Sequence, residues 1–154
     1  MAPGEVRFGR SKRVIAACVE VRGPYNEVGG PMRELGHWLR GKKIGASGDP
    51  FCLFYDNPGE TPPAELRSEV CIPVPGPFDP EGDVRLRVFE PADVAETRHL
   101  GPPEEFGRTY GPFLERLLRE GYRLEGPARE HYASAADVKG PGAGYLIQQP
   151  VSRA

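Results

Sequence analysis

Glu5-Val6-Arg7-Phe8 and Asp83-Val84-Arg85-Leu86 repeat an acidic–valine–arginine–apolar pattern at an offset of 78 residues, and this spacing decides the architecture. Gly23-Pro24 and Gly101-Pro102 keep the same offset, as do Glu27-Val28-Gly29 and Glu105-Phe106-Gly107. Leu35 and Leu39 fall against Phe113 and Leu117. After one deletion the offset becomes 77, and Pro50 meets Pro127, Tyr55 meets Tyr132 and Pro73-Val74 meets Pro150-Val151. The chain reads as a single domain, residues 1–154, built by tandem duplication. Copy one covers about residues 5–76 and copy two about 83–152.

Each copy reads strand, helix, strand, strand. Val14 to Val21 is almost wholly apolar and rich in Val and Ile, the mark of a buried strand. Its counterpart, Val94 to Leu100, is more polar. Phe106, Tyr110, Phe113, Leu114, Leu117 and Leu118 form one apolar helical stripe, with Gly121 suited to its C-terminal cap. Gly111-Pro112 inside that stripe predicts a kink. In the first helix Val28, Met32, Leu35 and Leu39 keep the spacing, while Gly29-Gly30-Pro31 interrupts the first turn. Phe51 to Tyr55 and Arg129 to Ala133 are the next strands, and Glu69 to Val74 and Tyr145 to Val151 the last. Asn57 to Glu65 is a hairpin loop, and Pro75 to Gly82 joins the copies. The expected fold is α+β with pseudo-twofold symmetry, helices on one sheet face and a ligand cleft at the seam between the copies.

Composition and charge exclude several classes. The 20 glycines and 18 prolines suggest many turns, yet 38% of residues are hydrophobic and gather in blocks that a disordered chain lacks. Lys and Arg number 20 against 22 Asp and Glu, and neither half is basic enough to track a phosphate backbone. Arg7, Arg10, Lys12 and Arg13 read as a solvated strand edge, so no nucleic-acid partner is expected. No apolar run approaches the roughly 18 residues of a membrane span, and no signal-peptide core opens the chain. Cys18, Cys52 and Cys71 lie in apolar runs without a C-x-x-C pair and read as buried free thiols in a reducing, cytoplasmic setting. His37, His99 and His131 are isolated, so neither a metal site nor a cofactor is expected.

The segment Gly126-Pro127-Ala128-Arg129-Glu130-His131-Tyr132, placed after Glu120-Gly121-Tyr122, resembles the GyrI-like, or AraC effector-binding-like, small-molecule-binding domain family. Gly23-Pro24-Tyr25, Glu69-Val70-Cys71-Ile72-Pro73-Val74, Gly101-Pro102-Pro103-Glu104-Glu105-Phe106-Gly107 and Gln148-Gln149-Pro150-Val151 extend the resemblance over essentially the whole chain. The resemblance implies a two-copy α+β fold that binds bulky, often aromatic and cationic compounds. Some members are fused to DNA-binding domains; others are gyrase inhibitors. One branch opens the strained cyclopropane of DNA-alkylating natural products. Repeats that begin at Glu5 leave no room for a helix-turn-helix domain, which disfavours the fused role.

Glu130 is the leading catalytic candidate. Strand alternation places Glu130 and Tyr132 on one face and Arg129 and His131 on the other. The matching residue of copy one is Leu53, so a carboxylate interrupts an apolar position, and the resemblance puts a ligand-facing acid there. The competing role is a solvated carboxylate or a partner of Arg129 or Arg98. Glu69 shares a face with Cys71, where an apolar surrounding would raise a carboxylate pKa; an exposed strand residue is the alternative. At the corresponding second-copy position the family often has an acid, and this chain has Leu146. Tyr25, Trp38, Phe51, Tyr55 and Tyr145 are candidate aromatic walls of the cleft, with core packing as the competing role for each. Trp38 matches Arg116 and takes a rim position.

Three functions follow from these readings. The first is a non-catalytic binder or sensor of drugs or toxins. The second is a protective hydrolase in which Tyr132 hydrogen-bonds a dienone oxygen while Glu130 or Glu69 deprotonates a water. The third is a protein-interaction module of the gyrase-inhibitor kind, for which the sequence offers no apolar patch.

Overall fold

A computed structural model describes residues 4–99, 106–133, 138 and 146–154. The strands are β1 (Arg7–Arg10), β2 (Val14–Arg22), β3 (Phe51–Phe54), β4 (Arg67–Pro73), β5 (Arg85–Phe89), β6 (Asp93–Thr97), β7 (Tyr122–Leu124), β8 (Arg129–His131) and β9 (Leu146–Arg153). The helices are α1 (Gly29–Gly41) and α2 (Phe106–Arg119), with short 3-10 turns at Tyr25–Glu27 and Pro63–Glu65.

All strand pairs are antiparallel, and eight strands run in the order β1-β6-β9-β8-β3-β4-β2-β5. β7 pairs with the end of β9, from Leu124 opposite Val151 to Tyr122 opposite Arg153. Under the sequence offset β1 corresponds to β5, β2 to β6, β3 to β8 and β4 to β9. The order then has the same sequence of positions from either edge, with β3 and β8 paired at the centre. The first strand of each half sits on the other half: β1 pairs with β6, and β5 with β2.

Both helices cover the same face. Met32, Leu35 and Leu39 of α1 pack with Ala17, Cys52, Val70, Ile72 and Tyr132. Phe113 and Leu117 of α2 pack with Ala95, Ala128, Ile147 and Val151. In register, Cys52 faces Glu130 and Glu130 faces Ile147, which ties the two clusters to one side of the sheet. Among the described residues the opposite face carries a third cluster with no helical residue: Ala16, Cys18, Phe51, Leu53, Cys71 and Phe89.

Local chemistry explains several departures from the sequence reading. Gly29-Gly30-Pro31 forms the first turn of α1 and does not interrupt it. Pro31 lies where the backbone N–H has no intrahelical partner to lose. Gly29 is required by contact, because a Cβ there would lie 2.6 Å from the carbonyl oxygen of Val138. α2 is one helix from Phe106 to Arg119, with Pro112 of the expected kink inside it. Leu118 lies off its buried stripe and is 57% exposed. Gly121 ends α2 at φ +87°, and Lys43, its counterpart after α1, takes φ 60°. Glu120-Gly121-Tyr122 therefore leads straight into β7, which periodicity did not reveal. β1 and β5 are likewise additional strands, and β6 ends at Thr97, short of Leu100. Among the described residues no helix is long and apolar enough to cross a membrane.

Candidate functional site

The seam strands β3 and β8 put one carboxylate in the middle of the helix-covered face. Glu130 is 2% exposed. On one side is Cys52, part of the α1 cluster; on the other is Ile147, part of the α2 cluster. A carboxylate is costly to bury unless hydrogen bonds or charge compensate it. Tyr132, on the same face, donates its hydroxyl to Glu130 Oε1 at 3.1 Å. Burial and the charge of Glu130 together hold the Tyr132 phenol well above its usual pKa. Arg129, which alternation sends to the opposite face, does not reach Glu130; its guanidinium lies over the Phe89 ring at 5.1 Å.

Glu130 floors a cleft of about 540 Å³. Tyr110 and Leu114 of α2 form one wall, and Tyr25, Phe54 and the loop from Tyr55 to Pro58 form the other. Ala128 completes the floor. Burial, and then the nearby Glu130 charge, push the Tyr110 phenol up to about 12. Tyr25 lines the cleft, its ring tilted 58° against Phe54 with centroids 4.7 Å apart. The Tyr25 hydroxyl accepts from Asp56 N–H at 2.8 Å and lies 3.0 Å from the carbonyls of Asp56 and Arg67, so it fastens the wall. Aromatic walls and a buried carboxylate at the floor suit a flat or bulky apolar cation.

Glu69 belongs to the other side of the sheet. It pairs in register with Leu53 and Glu20, one position along β3 from the Cys52 that faces Glu130. Its Oε1 accepts a hydrogen bond from Tyr55 at 2.8 Å and an ion pair from Arg87. It lines a separate, polar cavity of about 630 Å³ with Glu20, Tyr55, Arg67, Arg85 and Arg87. The expected arrangement of two carboxylates in one cleft is therefore corrected: neighbouring β3 positions point to opposite faces, and the sheet stands between the two acids.

The aromatic candidates divide in the same way. Tyr25 reaches the cleft, and Tyr55 borders both cavities while its hydroxyl serves Glu69. Phe51 is 2% exposed on the helix-free face, against Phe89 and His131, and does not wall the cleft. Trp38 lies away from the cleft. Its indole N–H donates to Glu81 Oε2 at 3.1 Å and its ring meets Phe78 edge-on, fixing the segment between the halves. Tyr145 lies outside the described residues. Tyr110 escaped sequence reasoning because it fits the apolar helical stripe. Its signal is the repeat offset, which sets this phenol where the first half has the core residue Met32.

Comparisons with known proteins agree with this fold. A family model described as the GyrI-like small molecule binding domain matches residues 5–144. The C-terminal domain of EcmrR superposes with a TM-score of 0.78 at 19% identity, covering 97% of this chain and 98% of that one. EcmrR in its DNA complex gives a TM-score of 0.82 at 18% identity and 97% coverage, and this chain spans 58% of that protein's length. A hydrolase from Listeria innocua gives a TM-score of 0.67 at 13% identity, covering 98% of this chain and 94% of that one. SAV2435 bound to tetraphenylphosphonium gives 0.53 at 11% identity, with 96% and 94% covered. None of the curated proteins matches the chain.

Proposed function

We propose that this chain, which belongs to the GyrI-like small-molecule-binding family, binds a bulky aromatic cation or electrophile in the cleft between α2 and the loop after β3. One observation carries the reading: Glu130, a carboxylate 2% exposed, forms the floor of an aromatic-walled cleft. A carboxylate at the floor of an aromatic cleft favours a ligand that brings positive charge without a tightly held water shell, because such a ligand stabilises the ionised form that burial disfavours. The symmetric strand order supports the further reading that the two halves arose by duplication, with the cleft at their seam.

Titration with tetraphenylphosphonium, followed by calorimetry, tests the proposal. Saturable binding is expected at one site. Glu130→Gln should weaken this cation at least tenfold and change the affinity of neutral triphenylphosphine oxide far less. Equal losses for both compounds, or no binding of either, would overturn it.

A second reading is hydrolytic opening of a cyclopropane conjugated to a dienone. The pairing of Glu130 with Tyr132 favours it, since a phenol orients the carboxylate at the cleft floor. Glu130 accepts a proton from water as the water oxygen bonds to the ring carbon. The strained C–C bond breaks, and its electron pair passes to the dienone oxygen, which takes a proton from solvent as a phenol forms, while Glu130 later returns its proton to solvent. General-base help of this kind is worth ~10²–10⁴-fold. A water adduct formed with turnover, followed by mass spectrometry, is the expected result; stoichiometric retention of intact compound overturns this reading and leaves the binder. The Tyr132 hydroxyl donates to Glu130, so Tyr132 serves here as a positioning residue and not as the donor to substrate.

A further inference from the structure

Cys18, Glu69 and Cys71 lie together on the helix-free face, outside the cleft. Cys18 of β2 faces Cys71 of β4 directly across the ladder, and Glu69 lies two residues before Cys71 on the same face. All three are buried, at 0%, 2% and 0% exposure, and one ligand atom from each lies within 4.8 Å of the others. Glu69 is divided in its partners. Oε1 is held by Arg87 and Tyr55, while Oε2 is buried with no hydrogen-bond partner. A buried carboxylate oxygen left without a partner costs free energy, and a cation between it and two sulfurs would satisfy it.

We propose that Cys18, Glu69 and Cys71 form a binding site for a thiophilic divalent metal ion, with Zn²⁺ as the best fit. Two sulfurs and one oxygen make a three-ligand set that zinc accepts, with a fourth position open to water. Zn–S bonds of about 2.3 Å and Zn–O bonds of about 2.0–2.2 Å span tetrahedral edges of about 3.5–3.8 Å, which fall within the 4.8 Å that encloses the three ligand atoms. Two Zn–S bonds form as two S–H protons leave to solvent. Two thiolates and a carboxylate against a divalent cation leave one negative charge, which the Arg87 guanidinium on Glu69 balances. Arg87 and the Tyr55 hydroxyl orient the carboxylate as outer-sphere partners. The polar cavity beside Glu69 provides the approach from solvent. The spacing 18…69…71 matches no familiar metal motif, since the ligands meet only through the pairing of β2 with β4.

The test is competition titration of the reduced protein with ZnCl₂ against a chromophoric chelator, with CoCl₂ as the spectroscopic probe. One metal per chain is expected, with a sulfur-to-cobalt charge-transfer band and the visible absorption of a tetrahedral centre. Cys18→Ser and Cys71→Ser should each abolish the band and weaken zinc at least tenfold. Cys52→Ser, a buried thiol on the other face, should leave both unchanged. Melting curves in chelator show whether each variant still folds, and Glu69→Gln supplies a second variant that keeps both sulfurs. Absence of the band in the wild-type chain, its survival in Cys18→Ser or Cys71→Ser, or its loss in Cys52→Ser would overturn the proposal.

Discussion

Glu69 and Glu130 stand on opposite faces of one sheet, separated by β3, where Leu53 faces the first and the adjacent Cys52 faces the second. No ligand in the helix-side cleft reaches both carboxylates. The two acids must therefore separate by experiment.

Glu130→Gln and Glu69→Gln should give different phenotypes. The first removes the anion from the cleft floor and lowers cation affinity while the fold persists. The second leaves cleft affinity within about twofold and instead weakens the Arg87 and Tyr55 contacts, at a cost of ~1–3 kcal/mol. Calorimetry and urea unfolding on both variants provide the comparison; equal affinity losses would show that the faces communicate.

Tyr132→Phe should lower both stability and cation affinity. The variant keeps the ring, 1% exposed, in the α1 cluster but deletes the hydroxyl at 3.1 Å from Glu130. A hydrogen bond to a charged group is worth ~1.5–3 kcal/mol, so a shift of that order in unfolding free energy is expected. An unchanged urea midpoint would remove the structural role assigned to this phenol.

Trp38→Phe should leave cleft binding within about twofold, because Trp38 contacts Phe78 and Glu81 and not the cleft. The same substitution should lower stability by ~1–2 kcal/mol through lost packing and the lost indole hydrogen bond. A tenfold loss of affinity would return Trp38 to the ligand wall.

Gly29→Ala should destabilise the protein although alanine favours helices. The added methyl would meet the Val138 carbonyl oxygen at 2.6 Å, and relieving that overlap costs ~1–3 kcal/mol. Gly30→Ala, where a Cβ meets nothing within 4 Å, is the matched control and should not destabilise. Thermal melts of the pair decide the point.

Stability should fall at high pH. Burial raises the phenols of Tyr25, Tyr55, Tyr110 and Tyr132 above the ordinary tyrosine value of 10.0, so the folded state holds protons that the unfolded chain releases. Their contribution is complete below 10.0 and is lost as pH rises through the folded values, about 12 for Tyr55 and Tyr110. His131 acts in the opposite range. Burial holds its pKa below 6.5, so its contribution is present above 6.5 and is lost as pH falls through the lowered value. Denaturant unfolding across pH should show both limbs, and His131→Phe should flatten the acid limb alone.

Much of the fold was legible in the sequence: β2, β3, β4, β8 and both helices fall where the apolar runs and stripes predict them, because apolar periodicity and Gly-Pro punctuation are local properties of the chain. The repeat offset also drew attention to Glu130 against Leu53. β7 was hidden because three residues after a helix carry too little periodicity to register, and Tyr110 because an amphipathic phenol fits a core stripe as well as a cleft wall.

The sequence by itself determined the fold class, the shared face of Glu130 and Tyr132, and the family to which the chain belongs. These follow from strand alternation, helical period and motif order, all of which act over a few residues. Only the tertiary structure decided which face each strand turns toward the helices. That depends on ladder register between distant segments: β3 against β8 set Glu130 under α2, and β2 against β4 set Cys18 beside Cys71 and Glu69. A strand's alternation fixes which residues go together, while its partner strands fix which side they occupy.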